Sequence, residues 1–157
     1  MVKVLFVCLG NICRSPLAEG IFQKLIEEHQ LTDRISCDSC GTSNYHIGGQ
    51  PDPRTQANAI ENGVTLNHKA RQFYSDDFFE FDFIIPMDKS NLSNILKFEE
   101  ANTTQATIQI MRDYDEKGKG MDVPDPYFGG EDGFQEVYDI LDRSCQNLMT
   151  SIINDLK

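Results

Sequence analysis

The sequence predicts an α/β fold in which a parallel sheet is covered by helices on both faces. Two patterns lead there: short apolar runs alternate with stretches of helical spacing, and the first run is apolar on consecutive rather than alternate residues. Size is the third observation. A chain of 157 residues with 39% hydrophobic and 10% aromatic content suits one compact domain over residues 1–157.

Val2 to Val7 is interrupted only by Lys3 and reads as a strand buried on both faces. Ser15-Pro16 predicts a helix start, with serine as the cap and proline at the first helical position. Leu17, Ile21 and Leu25 then recur at helical spacing beside Ala18, Phe22 and Ile26. A second strand is expected over residues 35–39, followed by a Gly- and Pro-rich loop to Pro53. Asp52-Pro53 opens a second helix through Ala57 and Ile60, and Gly63 is placed to end it. Residues 81–87, "FDFIIPM", read as a third strand with Pro86 at its end. A short helix over 91–96 and a fourth strand over 107–111 follow. Residues 112–133 are too polar and too rich in breakers for regular structure, and long loops of this kind are often functional. Phe134, Val137, Leu141, Leu148, Ile152 and Leu156 mark the buried side of a long C-terminal helix. The sum is a three-layer α/β arrangement with a central four-stranded parallel sheet flanked by helices.

The formal net charge of −11 argues against a nucleic-acid or anionic-membrane partner, since either needs an extended basic surface. No apolar run reaches the length of a bilayer span. The opening "MVKVLFVCLG" has a short apolar stretch running into Asn11 rather than a small-residue cleavage site, so a strand is the better reading than a leader. Five cysteines in a chain large enough to fold without staples point to a reducing, cytoplasmic setting.

In parallel α/β sheets ligands sit beyond the carboxyl ends of the strands. The turn after the first strand, "CLGNICRS" (8–15), lies there. If its amides wrap around a centre, they and the start of the following helix converge on one point and form an anion cradle. Arg14 adds a planar fork that matches two phosphate oxygens, and Gly10 permits backbone that a side chain would forbid. Cys8, at the base, sits among positive partial charges that favour its thiolate and make it a nucleophile toward phosphorus. The missing Gly-Lys-Ser/Thr ending excludes a Walker loop. A departing oxygen also needs a proton. Asp125, between Pro124 and Pro126, is a candidate acid with a restricted backbone, although a turn aspartate bonding only its own backbone is the alternative. Tyr127 and Phe128 beside it could wall an aromatic substrate or anchor the loop in the core.

Cys8-Leu9-Gly10-Asn11-Ile12-Cys13-Arg14-Ser15 together with Asp125-Pro126-Tyr127 resembles the low-molecular-weight protein tyrosine phosphatases, and the likeness extends through "DSCGTSNYHIG", "HKARQ" and "MDKSNL". The resemblance implies hydrolysis of phosphotyrosine in a protein, or of an aryl phosphate, with no metal or other cofactor. It implies Cys8 as nucleophile, Arg14 as the phosphate-binding arginine and Asp125 as general acid. Leu9, Gly10, Asn11, Ile12, Cys13 and Ser15 would form the phosphate loop, with Tyr45, Tyr127 and Phe128 lining the pocket. Ser39, His68 and Asp88 would support it from behind. Ile12 stands where phosphoarginine-specific relatives tend to have threonine, which favours phosphotyrosine. Cys13 matches a cysteine that forms a reversible disulfide with the nucleophile in many members. Three residues depart from the family pattern: Cys40 replaces a small residue, Pro86 precedes Met87-Asp88, and Phe128 replaces a tyrosine that could be phosphorylated.

Two other readings compete. An arsenate reductase of the same fold needs relay cysteines near residues 80–90, where "EFDFIIPMDKS" has none. A phosphotyrosine-binding module without catalysis has no use for both Cys8 and Asp125. Cys37 and Cys40, three apart on a strand, are expected on opposite faces as structural residues. His29 reads as solvated at a helix end and His46 as an ordinary loop histidine. The acidic run 113–116 reads as solvated surface.

Overall fold

The computed structural model describes residues 1–128 and 131–156, with the side chains at 128 and 131 outside that description. Four parallel strands stand in the order β2-β1-β3-β4, formed by Val2–Cys8 (β1), Ile35–Gly41 (β2), Phe83–Pro86 (β3) and Thr107–Ile108 (β4). The predicted sheet is therefore present, with β4 cut to two residues because the chain turns at Met111 into a 3-10 turn. Helices cover both faces: α1 (Arg14–Glu28), α2 (Pro53–Glu61) and α5 (Glu131–Leu156) on one, α3 (Asp77–Glu80) and α4 (Lys89–Leu96) on the other.

β1 sits centrally, which is why its apolar run is continuous. Val4, Phe6 and Cys8 face the cluster built with α1 and α5, while Leu5 and Val7 face Phe73, Phe78, Ile84 and Ile95. Val4 to Val7 are fully buried, and each such side chain contributes about 1.5–3 kcal/mol from leaving water. On the second face the rings of Phe73, Phe78 and Phe98 meet at centroid distances of 5.0–5.7 Å, mostly edge-on. Cys37 and Cys40 point to opposite faces, as the strand period requires.

Several local expectations change. α1 begins at Arg14 with Cys13 at its cap position, so Ser15 is not the cap; its hydroxyl is spent inside the loop, and Pro16 is tolerated because first-turn amides need no helical partner. α2 does start at Pro53, with the Asp52 side chain accepting from the Arg54 amide at 2.8 Å, and Gly63 (φ +80°) follows its end. The 112–133 stretch is not wholly irregular: it holds 3-10 turns at Met111–Tyr114 and Pro126–Phe128, and α5 starts within it. The acidic run is not all surface either. Asp115 is fully buried and bonded to Arg112 and Arg143 at 3.0 Å each.

Strand order reverses direction at β1: the next strand in sequence lies on one side of it and β3 on the other. A crevice opens at such a point, and residues 8–15 lie in it.

Candidate active site

The loop after β1 is shaped by Asn11. It adopts φ +58°, the left-handed region, and is 1% exposed. Gly10 does not occupy that region; its need for a bare Cα comes from the His46 ring, 3.0 Å from where a Cβ would stand. Asn11 is held by four bonds: its Nδ2 donates to Ser15 Oγ (2.7 Å) and Ser39 Oγ (3.0 Å), and its Oδ1 accepts from the Arg71 amide (3.0 Å) and lies 2.7 Å from His68 Nε2. Small polar side chains that bond locally are the ones that tolerate this conformation. Gly41, at the end of β2, backs the loop so closely that a Cβ there would lie 2.6 Å from the Leu9 carbonyl.

Behind this loop the supports form a second layer. Ser39 donates to Glu19 Oε1 at 2.6 Å, and His68 Nδ1 lies 3.1 Å from the same oxygen and 3.7 Å from Asp38. Arg71 bonds Asp38 and, with both terminal nitrogens, Asp77. Glu19, Asp38 and His68 bring potential ligand atoms within 4.8 Å of one another, and Glu19 Oε1, His68 Nε2 and Asp38 Oδ2 already make hydrogen bonds there.

Cys8 Sγ lies 2.9 Å from Ser15 Oγ and accepts from the Asn11 amide at 3.3 Å. Ser15 also reaches the Cys40 carbonyl at 3.2 Å. Its single proton therefore has two destinations, the carbonyl or the sulfur, while Asn11 occupies a lone pair. A thiolate at Cys8 draws that proton to itself.

Arg14 is 3% exposed. Its Nη1 is committed to Asp88 Oδ2 (2.7 Å) and the Val123 carbonyl (3.0 Å), and among the described residues Nε and Nη2 make no hydrogen bond. Those two nitrogens are the parallel pair that matches two oxygens of a phosphate. Burial opposes the guanidinium charge, yet Cys8, Asp88 and Asp125 outweigh it and move its pKa up. Asp88 also caps α4 by accepting from the Asn91 amide at 2.7 Å, so the end of β3 aims the arginine.

Asp125 reaches the site through anchors on both sides. The Val123 amide donates to the Met87 carbonyl at 2.9 Å, and Arg54 of α2 donates to the Tyr127 carbonyl at 3.1 Å while its guanidinium lies 5.4 Å from the Tyr127 ring centre. Between these points, Asp125 Oδ1 accepts from the Tyr127 amide at 3.0 Å, and Oδ2 lies 3.8 Å from Arg14 Nη2. The turn bond and the cavity position thus coexist.

Cys8, Leu9, Gly10, Ile12, Cys13, Arg14, Asp125, Tyr45, Tyr127 and His46 surround one cavity of about 250 Å³. The structure brings together the predicted nucleophile, arginine, acid and tyrosines; Asn11, Ser15, Ser39, His68 and Asp88 stand behind the wall. The Phe128 side chain lies outside the described residues. His46, read from sequence as an ordinary loop residue, is part of the wall. Glu19, Asp38, Arg54, Arg71 and Asp77 were missed as supports; only "HKARQ" and the polar surroundings of Ser39 carried a trace of them.

The Cys13 thiol is pushed up to about 12 by burial, with Asp52 and Cys8 adding and a Thr55 hydrogen bond opposing. Burial likewise raises Cys37 and Cys40, which fits structural thiols.

A family model described as low molecular weight phosphotyrosine protein phosphatase matches residues 3–157. The chain belongs to that family. The enzyme is 43% identical to a low molecular weight phosphotyrosine protein phosphatase of Schizosaccharomyces pombe over 96% of this chain and 97% of the relative. Its fold matches a protein tyrosine phosphatase from Entamoeba histolytica, solved with Hepes in the active site, at a TM-score of 0.91, 41% identity and full coverage of both chains. A Drosophila arginine phosphatase matches at a TM-score of 0.89 and 34% identity, covering 96% of this chain and 98% of that one. The family and α/β fold expected from sequence are borne out. Among the described residues no helix is long and apolar enough to cross a membrane.

Proposed function

We propose that residues 1–157 act as one catalytic unit that hydrolyses phosphotyrosine through a phosphocysteine. The observation that carries this is the convergence of Cys8 Sγ, the Nε–Nη2 side of Arg14 and Asp125 Oδ2 on a single cavity with tyrosine walls. Phosphate oxygens lie on the loop amides and on Nε and Nη2 of Arg14. Cys8 sulfur then attacks phosphorus in line: the S–P bond forms, the P–O bond to the tyrosine ring breaks, and Asp125 gives its proton to the phenolic oxygen. In the second step Asp125 takes a proton from water, whose oxygen attacks phosphorus and displaces Cys8. Ser15 turns its proton to the departing sulfur. The loop amides stabilise the charge spread over the equatorial oxygens throughout.

Leu9, Ile12, Tyr45 and Tyr127 give the cavity an apolar wall suited to a ring, and Ile12 supports phosphotyrosine over phosphoarginine. The five free cysteines support a reducing, cytoplasmic setting. The test is a comparison of phosphotyrosine, phosphoserine and phosphoarginine peptides. Phosphotyrosine is expected to be turned over fastest, and Cys8→Ser to abolish turnover while retaining phosphate binding. Asp125→Asn should slow poor leaving groups by about 10²–10⁴-fold and activated aryl phosphates far less. Equal slowing of both would remove Asp125 from the role of acid.

A further inference from the structure

Leu9 and Tyr45 wall the active-site cavity and also a second, open groove of about 490 Å³. Its far side is Asn94, Lys97 and Phe98, at and after the end of α4, and Gln72 contributes to its lining. Leu9 is 42% and Tyr45 74% exposed, so the two spaces meet over an apolar ridge that nothing among the described residues covers.

The segments that line this groove carry no carboxylate. Of 25 carboxylates, none falls in residues 41–51, 63–75 or 89–98, the three segments that supply the groove apart from Leu9. Lys97 is exposed and donates to Asn94 Oδ1 at 3.2 Å. Among the described residues no carboxylate pairs with it, Glu99 and Glu100 included. Just beyond the second segment, Asp76 is exposed and Asp77 is engaged by Arg71.

We propose that this groove is a substrate subsite that holds the peptide segment flanking the phosphorylated tyrosine, with Lys97 selecting an acidic side chain there. The inference rests on the phosphotyrosine reading. With the phosphate on the loop and the ring against Ile12 and Tyr127, the peptide backbone emerges at the mouth, and the Leu9–Tyr45 ridge leads it into the groove. Tyr45 and Phe98 contact its apolar stems; Gln72 and Asn94 offer hydrogen bonds to its backbone. The chain's net negative charge repels an acidic peptide only over distances that salt screens, about 8 Å under physiological conditions, whereas Lys97 acts at contact.

The experiment measures kcat/KM for matched phosphotyrosine peptides carrying Glu, Ala or Lys on either flank, with p-nitrophenyl phosphate as the small substrate. Parent enzyme, Lys97→Gln and Lys97→Glu are compared at low and physiological salt. The parent should prefer Glu over Lys on one flank by about 2- to 5-fold, the size of an exposed ion pair, more so at low salt. Lys97→Gln should flatten that preference and Lys97→Glu invert it, with the p-nitrophenyl phosphate rate unchanged in both. An identical peptide ranking in all three enzymes overturns the subsite while leaving phosphotyrosine hydrolysis standing. Failure of the parent to hydrolyse any phosphotyrosine peptide or p-nitrophenyl phosphate removes both readings.

Discussion

Replacing Asn11 with alanine removes four hydrogen bonds from the residue that shapes the phosphate loop. Each is worth about 1 kcal/mol net, and alanine at φ +58° adds about 1 kcal/mol of backbone strain. The loop has two ways to respond. If it keeps its shape, the protein loses about 3–5 kcal/mol of stability; if it relaxes, stability is partly recovered but the amides no longer converge and turnover falls. Urea unfolding and kcat/KM on an aryl phosphate read the two arms together. With a slope of about 2 kcal/mol per molar urea, the first arm moves the midpoint down by about 2 M. Asn11→Asp is the informative partner. It keeps the acceptor for His68 and the Arg71 amide, so it should lose about half as much stability, yet it places a negative charge beside Cys8 and the incoming phosphate and should lose at least as much activity. An Asn11→Ala enzyme within 1 kcal/mol of the parent and equally active would refute the argument that this side chain holds the loop.

Asp115→Asn should destabilise by about 3 kcal/mol, because Arg112 is left buried without a counter-charge, and lower Tm by about 6–12 °C. Burial raises the Asp115 pKa, but hydrogen bonds from Arg143, the Lys117 amide and Arg112 overcome it and hold the group below its ordinary value. Its contribution is therefore present above the unfolded pKa of about 3.9 and lost as pH falls through the folded value. Thermal melts of parent and variant should differ most near neutral pH and converge in acid; a constant gap would contradict this. Peroxide should convert Cys8 to a sulfenic acid, which Cys13 sulfur then attacks to form a disulfide with loss of water, and added thiol should reverse it. Because burial keeps Cys13 protonated, pairing should quicken as pH rises. Activity recovered by thiol after peroxide should fall sharply in Cys13→Ser; equal recovery in both enzymes would leave Cys13 without a protective role.

Much of the site was legible because its central part is local. The run Val2–Val7, the Gly-containing turn and the Cys8-to-Arg14 spacing lie within one strand-turn-helix unit, and a strand followed by a helix leaves amides pointing at the space between them. Asp52-Pro53 and Gly63 set the ends of α2 for the same local reason. Asp125 was a candidate from its Pro-flanked backbone, but only the resemblance favoured it as the acid, since a Pro-flanked aspartate has an equally good local use. Which residue in the turn takes the left-handed backbone was misplaced: Gly10 is the residue free to do so, but three of the four bonds at Asn11 come from β2 and from residues 68 and 71, all distant in the chain.

What the sequence by itself determined is the layered sheet and the closeness of Cys8 and Arg14 in one turn, because periodicity, turn chemistry and short-range spacing act before the chain has folded; the family was legible through the resemblance of its motifs. Only the tertiary structure decided where the rest converges. Placing β1 between β2 and β3 opens the crevice, puts Asp88 at the strand end that aims Arg14, and lets Met87 and Arg54 fix the two sides of Asp125. The same packing buries Asp115, which a solvated acidic run would not suggest, and brings Lys97 to the rim of a groove joined to the active site. Contacts of that kind depend on the order in which strands pair, and strand order is a global property that no local pattern carries.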